Sequence, residues 1–300
     1  MEASEMTFGI EIETIAGQAA FNAGLVIGAR HSHANYSRKQ VPYLPEGWTA
    51  EADGSISVGN GGGQGCEIVS PILKGAEGIK QAVEVVRILR AHGHRVNMTC
   101  GFHVHVGWKR TEASEKLARL ITMFSYCELG LYAITGTKSR ENGQYSKGLR
   151  RYGKEKNAKA SIETDRYHAL NLVPLASGTR QTVEFRLFGG TLNAIKVAGY
   201  IQVCLGLVER AMNGKKSPKW CPEPLKANGG WAKNGVGQSE AERLIGFLAW
   251  APGYAKVHGG KQFGWISDAV SQDAVKKMFR RLSKQYDGPV DAQSNERTDG

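Results

Sequence analysis

A mixed fold in which β-strands and α-helices interleave is what this sequence predicts, and three runs of residues carry the prediction. Residues 7–13 alternate strictly, with Phe8, Ile10 and Ile12 facing one way and Gly9, Glu11 and Glu13 the other, which is the pattern of a strand with one face in the core. Residues 101–108 repeat it, with Phe102, Val104 and Val106 opposite His103, His105 and Gly107. Between them, Ile79, Ala82, Val83, Val86 and Leu89 recur at helical spacing over residues 75–91, because residues three and four apart share one side of a helix.

The other elements follow from the same two periods and from turn residues. Residues 48–56 predict a short strand with a turn at Asp53-Gly54, and residues 66–70 another strand, ended by Pro71. The run Gly59, Gly61, Gly62, Gly63, Gly65 between them predicts a mobile hairpin loop. Helices are expected over 113–134 and 192–212, and strands over 167–173 and 181–188. After Met212 the pattern turns helical, around 240–251 and 267–282, with Gly-, Trp- and Pro-rich connections. Residues 1–212 are therefore expected to form the main domain, 213–283 a helical appendage packed on it, and the polar end 284–300 a disordered tail.

Composition narrows the classes. At 300 residues and 41% hydrophobic content the chain can bury a sizeable core. The five cysteines form no C-x-x-C pair, which argues against a disulfide scaffold or a zinc knot. The first six residues carry Glu2 and Glu5 and lead directly into a strand, and no apolar run reaches membrane-spanning length, so a cytoplasmic protein without a membrane partner is expected. The net charge of +11 is regional: residues 1–100 hold 8 Lys/Arg against 10 Asp/Glu, whereas 101–200 hold 16 against 8. Much of the excess lies in 138–159, a basic loop with Gly143, Gly148 and Gly153, suited to recruiting an acidic partner.

Chemistry concentrates on the polar faces of three predicted strands, which present Glu11 and Glu13, His103 and His105, and Glu184 and Arg186. Side chains two apart on a strand point the same way, so strands of one sheet would project all three pairs into one space. Carboxylates with one or two imidazoles suit Mg²⁺ or Mn²⁺, and an arginine among them suits phosphate. Asp53 and Glu67 flank the glycine-rich run and belong to the same candidate set.

These residues stand in ordered motifs: F-G-I-E-I-E at 8–13, D-G-S at 53–55 followed by E-I-V-S-P at 67–71, G-F-H-V-H-V-G at 101–107, R-Y-H-A-L-N at 166–171 and T-V-E-F-R-L-F-G-G-T at 182–191. The series resembles the amidoligase family, a branch of the superfamily that holds glutamine synthetase and glutamate-cysteine ligase. The resemblance implies an α+β fold with a curved, mainly antiparallel sheet of the glutamine synthetase catalytic-domain type and helices on its outer face. It also implies ATP and Mg²⁺ as cofactors and an amide or isopeptide bond made through an acyl phosphate. Position by position, Glu11, Glu13, Glu67, Glu184 and one of His103 or His105 look like metal ligands. Arg186 looks like the arginine on the transferring phosphate, Asp53 like the base, and Arg166 and Asn171 fall in a motif that lines the nucleotide or carboxylate pocket.

Two other classes use parts of the same inventory. A metal-dependent hydrolase or nuclease would need the His and Glu cluster without ATP, and a non-catalytic module would bind nucleic acid through the basic loop. Arg186 beside the carboxylates favours phosphate handling, and the basic loop has only Tyr145 and Tyr152 for base stacking. No G-x-x-x-x-G-K-[ST] loop exists, since Glu209 and Lys216 stand where glycine and Ser/Thr belong. The carboxylate and amine substrates, which include peptide or protein tails, stay open.

Overall fold

A computed structural model describes residues 1–29, 38–141, 143–221 and 236–288. The strands are β1 (Thr7–Ala16), β2 (Lys39–Gln40), β3 (Thr49–Ala52), β4 (Gln64–Val69), β5 (Leu73–Lys74), β6 (Gly101–Gly107), β7 (Leu170–Asn171) and β8 (Thr182–Gly189). They form one open sheet in the order β2-β3-β4-β1-β6-β8-β7, with β5 also on β1, and every pairing between them is antiparallel. The helices are α1 (Gln18–Asn22), α2 (Gly75–Ala91), α3 (Ser114–Ala133), α4 (Glu155–Ile162), α5 (Val173–Ser177), α6 (Ala194–Asn213), α7 (Val236–Phe247), α8 (Pro252–Val257) and α9 (Gln272–Asp287). This is the expected α+β class.

The two faces of the sheet are chemically distinct because the strands alternate. Phe8, Ile10, Ile12, Phe102, Val104 and Val106 are all buried and join the hydrophobic core with the apolar sides of α2, α3 and α6. That leaves the Glu and His faces of β1 and β6 turned toward the opposite side. Asn193 caps α6 by accepting from the Ile195 and Lys196 backbone N–H groups, and Ser271 does the same for Ala274 in α9, which satisfies donors that a helix start otherwise leaves open.

An irregularity in the β6–β8 pairing sets which residues reach which face. Val104 pairs with Phe185, but Phe102 pairs with Phe188, so Arg186 and Leu187 together oppose His103 alone. The extra residue in β8 is a β-bulge. With strict alternation Phe188 would share a face with Glu184 and Arg186; the bulge returns it to the core side, where its ring stacks on Tyr200 at 4.2 Å.

Three expectations are corrected. The basic stretch 138–159 is not one loop: it holds a 3-10 turn at Leu149–Arg151, and α4 starts at Glu155. Buried Glu128 of α3 anchors the turn by accepting from the Leu149 backbone N–H at 2.6 Å. The glycine-rich run is likewise tied down, because Asn97 Nδ2 donates to the Ser57 carbonyl at 2.6 Å, Thr99 Oγ1 accepts from the Ser57 N–H at 3.1 Å, and Arg95 donates to the Val58 and Gly62 carbonyls. Finally, α9 continues to Asp287, into the stretch read as tail; residues 289–300 and 30–37 lie outside the described residues. Its amphipathic pattern carries Phe279 and Tyr286 into the same core that Leu244 and Ile245 of α7 join.

Candidate active site

Cross-strand register brings the polar faces together. Glu13 pairs with Glu67, and Glu67 with Glu51, so three carboxylates form a row across β1, β4 and β3. Glu11 pairs with His103, and His105 with Glu184, which in turn pairs with Asn171. All of them line a cavity of about 1060 Å³, together with Asp53, Arg140, Arg166, Arg180 and Arg186. Every residue named as a site candidate from the sequence is therefore on its wall.

The contacts divide the acids into partnered and unpartnered. Glu184 is buried, its Oε2 accepting from Asn171 Nδ2 at 2.6 Å and its Oε1 pairing with Arg186 Nη1 at 2.5 Å. Burial opposes its ionisation, but His105 and Arg186 outweigh that and hold the carboxyl below its usual range. Glu11 is likewise driven up by burial and then well down by His105 and His103, whose nitrogens lie 3.1 and 3.3 Å from its two oxygens. In contrast, the Glu67 carboxylate accepts no hydrogen bond among the described residues, and burial together with the charges of Glu11, Glu51, Glu13 and Asp53 raises its carboxyl well above the ordinary value. Such a surplus of negative charge is what a bound cation relieves.

Asp53 Oδ1 accepts from both the backbone and hydroxyl of Ser55, at 2.8 and 2.6 Å. This local turn fixes the carboxylate at the edge of the cavity, on the loop that Arg95, Asn97 and Thr99 staple. Arg166 is exposed at the mouth, 5.8 Å over the Tyr167 ring, and Tyr167 meets Tyr145 edge-on at 5.4 Å. Gly101 leaves room for three site side chains: a Cβ would come within 2.8 Å of His103 Nε2, 3.1 Å of Arg140 Nη2 and 3.2 Å of Glu13 Oε1.

Residues 4–156 and 149–208 match the family model described as "Putative amidoligase enzyme". This chain belongs to the amidoligase family. Among solved structures, the amidoligase is similar to one titled a novel glutamine synthase homolog, at 16% identity and a TM-score of 0.40, covering 92% of this chain and 71% of that one. It is also similar to a bifunctional glutathione synthetase from Pasteurella multocida, at 11% identity and a TM-score of 0.47, covering 94% of this chain and 47% of that one. No curated protein matches the sequence.

Which residues of the amidoligase fit a metal ion is a question of donors. Ligand atoms of Glu11, His105 and Glu184 lie within 4.8 Å of one another. Both ring nitrogens of buried His105 lack a partner in hydrogen-bonding geometry, while Nε2 lies 3.1 Å from Glu11 and 3.9 Å from Glu184. His103 instead lies between Glu11 and Glu13, at 3.3 and 3.6 Å. Three residues here were not singled out from the sequence as site residues. Glu51 extends the carboxylate row; Arg140, counted with the basic stretch, is half-buried and donates to the Cys100 carbonyl at 2.5 Å; Arg180 reaches Glu11 at 3.6 Å from the loop before β8. Only the alternation in residues 49–52 held a signal for Glu51; the two arginines come from connecting segments, where no period applies. The described cysteines are free, and among the described residues no helix is long and apolar enough to cross a membrane.

Proposed function

We propose that this amidoligase joins a carboxylate to an amine with ATP and Mg²⁺, by way of an acyl phosphate. The observation that carries the reading is one cavity with a carboxylate-imidazole floor and a rim of arginines. In the balanced reaction a carboxylate oxygen takes the γ-phosphoryl group of ATP, releasing ADP. The amine then displaces phosphate and loses a proton.

Glu11, Glu13, Glu67, Glu184 and His105 are the residues that would hold Mg²⁺ or Mn²⁺, which when bound would neutralise triphosphate charge and polarise the transferring group. Arg186 keeps buried Glu184 in place with Nη1, and its Nε, buried without a partner, is available to a phosphoryl oxygen. Arg140 stands on the same wall with its Nε in the same condition. Preorganised cations of this kind stabilise charge as it spreads in the transition state. Asp53, held by Ser55 beside the row of acids, is suited to take the proton from the attacking amine. Arg166 and Asn171 complete the wall, Asn171 by orienting Glu184.

The exposed Arg151, Lys154 and Lys156 adjoin the segment that carries Tyr145 and Ser146 into the cavity wall, and they favour an acidic carboxylate substrate such as a peptide or protein tail. The deciding experiment offers purified protein ATP, Mg²⁺ and pooled amines and carboxylates, and measures ADP. Amine-dependent ADP release that disappears in Arg186→Ala supports the ligase. Turnover without ATP would replace it with the metal-dependent hydrolase.

A further inference from the structure

A second cavity, of about 360 Å³, shares no lining residue with the first. Tyr126 of α3, Arg210 of α6, Arg243 and Phe247 of α7, Tyr254 of α8 and His258 just beyond it form the walls, and among the described residues no acid lines it. Gly246 makes the wall at Tyr254 feasible, since a Cβ there would meet the tyrosine ring at 2.8 Å.

The cations are held by aromatic faces rather than by acids inside the cavity. The Arg210 guanidinium carbon lies 4.0 Å from the Phe247 ring centre and 4.6 Å from that of Phe263. Its Nη1 donates to the Phe247 carbonyl, which uses one of five donors. No carboxylate pairs with it among the described residues, and burial makes its charge harder to keep. Arg243 lies 5.3 Å over the Tyr126 ring, and its 3.1 Å ion pair is with Glu240, a residue outside the lining. Partly buried cations facing a ring-walled space that no described acid lines attract an anion, and flat side-chain rings offer a stacking surface to a flat ligand.

We propose that this cavity binds a small planar organic anion, an aromatic ring bearing a phosphate or carboxylate, with the ring against Tyr126 and Tyr254 and the anionic group toward Arg210, Arg243 and His258. Its volume is that of an ordinary small-ligand pocket. The site is independent of the ligase reading, because it uses none of the same residues.

The test is calorimetric titration of the full chain with phenyl phosphate, benzoate, inorganic phosphate and uncharged benzyl alcohol at fixed ionic strength. Phenyl phosphate or benzoate is expected to bind more tightly than either phosphate or the alcohol. Binding should weaken about tenfold or more in Arg210→Lys, which keeps the charge but loses the planar fork, and also in Tyr254→Ala, an exposed position that leaves the fold intact. Glu11→Gln, in the other cavity, should leave it unchanged. Equal affinity for the alcohol, unchanged affinity in both pocket variants, loss of binding in Glu11→Gln, or no binding of either ring-bearing anion would each overturn the proposal.

Discussion

Asn171 donates to Glu184 across the β7–β8 pair at 2.6 Å, while its own Oδ1 accepts from the Val173 backbone N–H at 2.9 Å. The amide is thus fixed at both ends, and one carboxylate oxygen of Glu184 with it. Removing such an orienting partner from a metal-binding carboxylate typically costs 10- to 100-fold in metal affinity. Asn171→Ala should therefore raise the Mn²⁺ concentration needed for half-maximal stabilisation by about that factor while the circular dichroism spectrum stays that of the wild type. An unchanged Mn²⁺ requirement would detach Asn171 from the site.

Glu11→Gln and Glu13→Gln keep shape and remove charge. A ligand that prefers the native state raises its thermal midpoint with the logarithm of concentration over Kd, so Mg²⁺-ATP should raise the wild-type midpoint and fail to raise that of either variant. Equal shifts in all three proteins would overturn the metal assignment.

Gly101→Ala places a methyl group among His103, Arg140 and Glu13. Displacements of about 1 Å in an active site can cost on the order of 100-fold in rate, so turnover should drop by that order, while overpacking lowers stability by roughly 1–3 kcal/mol. Parallel measurements of kcat and of the urea midpoint separate the two; wild-type turnover would mean that these side chains yield freely.

Asp53→Asn should slow amide formation and leave ATP affinity nearly intact, because a base is needed only when the amine attacks. Comparing ATP binding with single-turnover amide formation reads the two effects separately. If ATP affinity collapsed with turnover, Asp53 would be a metal ligand.

The pH dependence of stability has two opposed sources away from the cavity floor. Burial, then His92, pushes the His94 imidazole down to about 4 from 6.5, where Thr14 and Tyr43 hydroxyls hold it at 3.0 and 2.7 Å. Its folded form binds fewer protons than the unfolded chain between those values, so its contribution, on the order of 3 kcal/mol, is complete above pH 6.5 and is lost as pH falls toward 4. Burial instead pushes Glu128 up to about 7 from 4.5, against the Leu149 and Arg150 N–H groups. Its contribution is complete below pH 4.5 and is lost as pH rises through 7. Urea unfolding from pH 4 to 8 should show His94→Gln losing less stability than wild type on acidification, and Glu128→Gln losing less on the alkaline side. Parallel curves for all three proteins would refute both assignments.

The site was legible where period-2 alternation holds. Glu11 and Glu13 on β1 and His103 and His105 on β6 needed only the pleat, and 75–91 and 113–134 were found within a residue or two because their apolar stripes are long. Strand β7 shrank to Leu170–Asn171, since a two-residue pairing has no period to detect. Arg140 and Arg180 reach the cavity from loops by tertiary placement, which no local pattern encodes. The glycine run appeared mobile in sequence because its staples, Arg95, Asn97 and Thr99, come from a segment some forty residues away. Helix α4 was masked by lysines, whose charge suggested a loop.

The bulge opposite His103 also makes the two ends of β8 separately adjustable. Regular pairing with every residue of Thr182–Gly189 kept would force a choice between aiming Arg186 at the cavity and keeping Phe188 under Tyr200, because residues two apart on a strand share a face. With the extra residue in place, substitutions around Phe188 can drift with α6 without re-aiming Glu184. The chain can thus vary its scaffold while its reacting groups stay in register, a freedom that a perfectly regular strand would deny it.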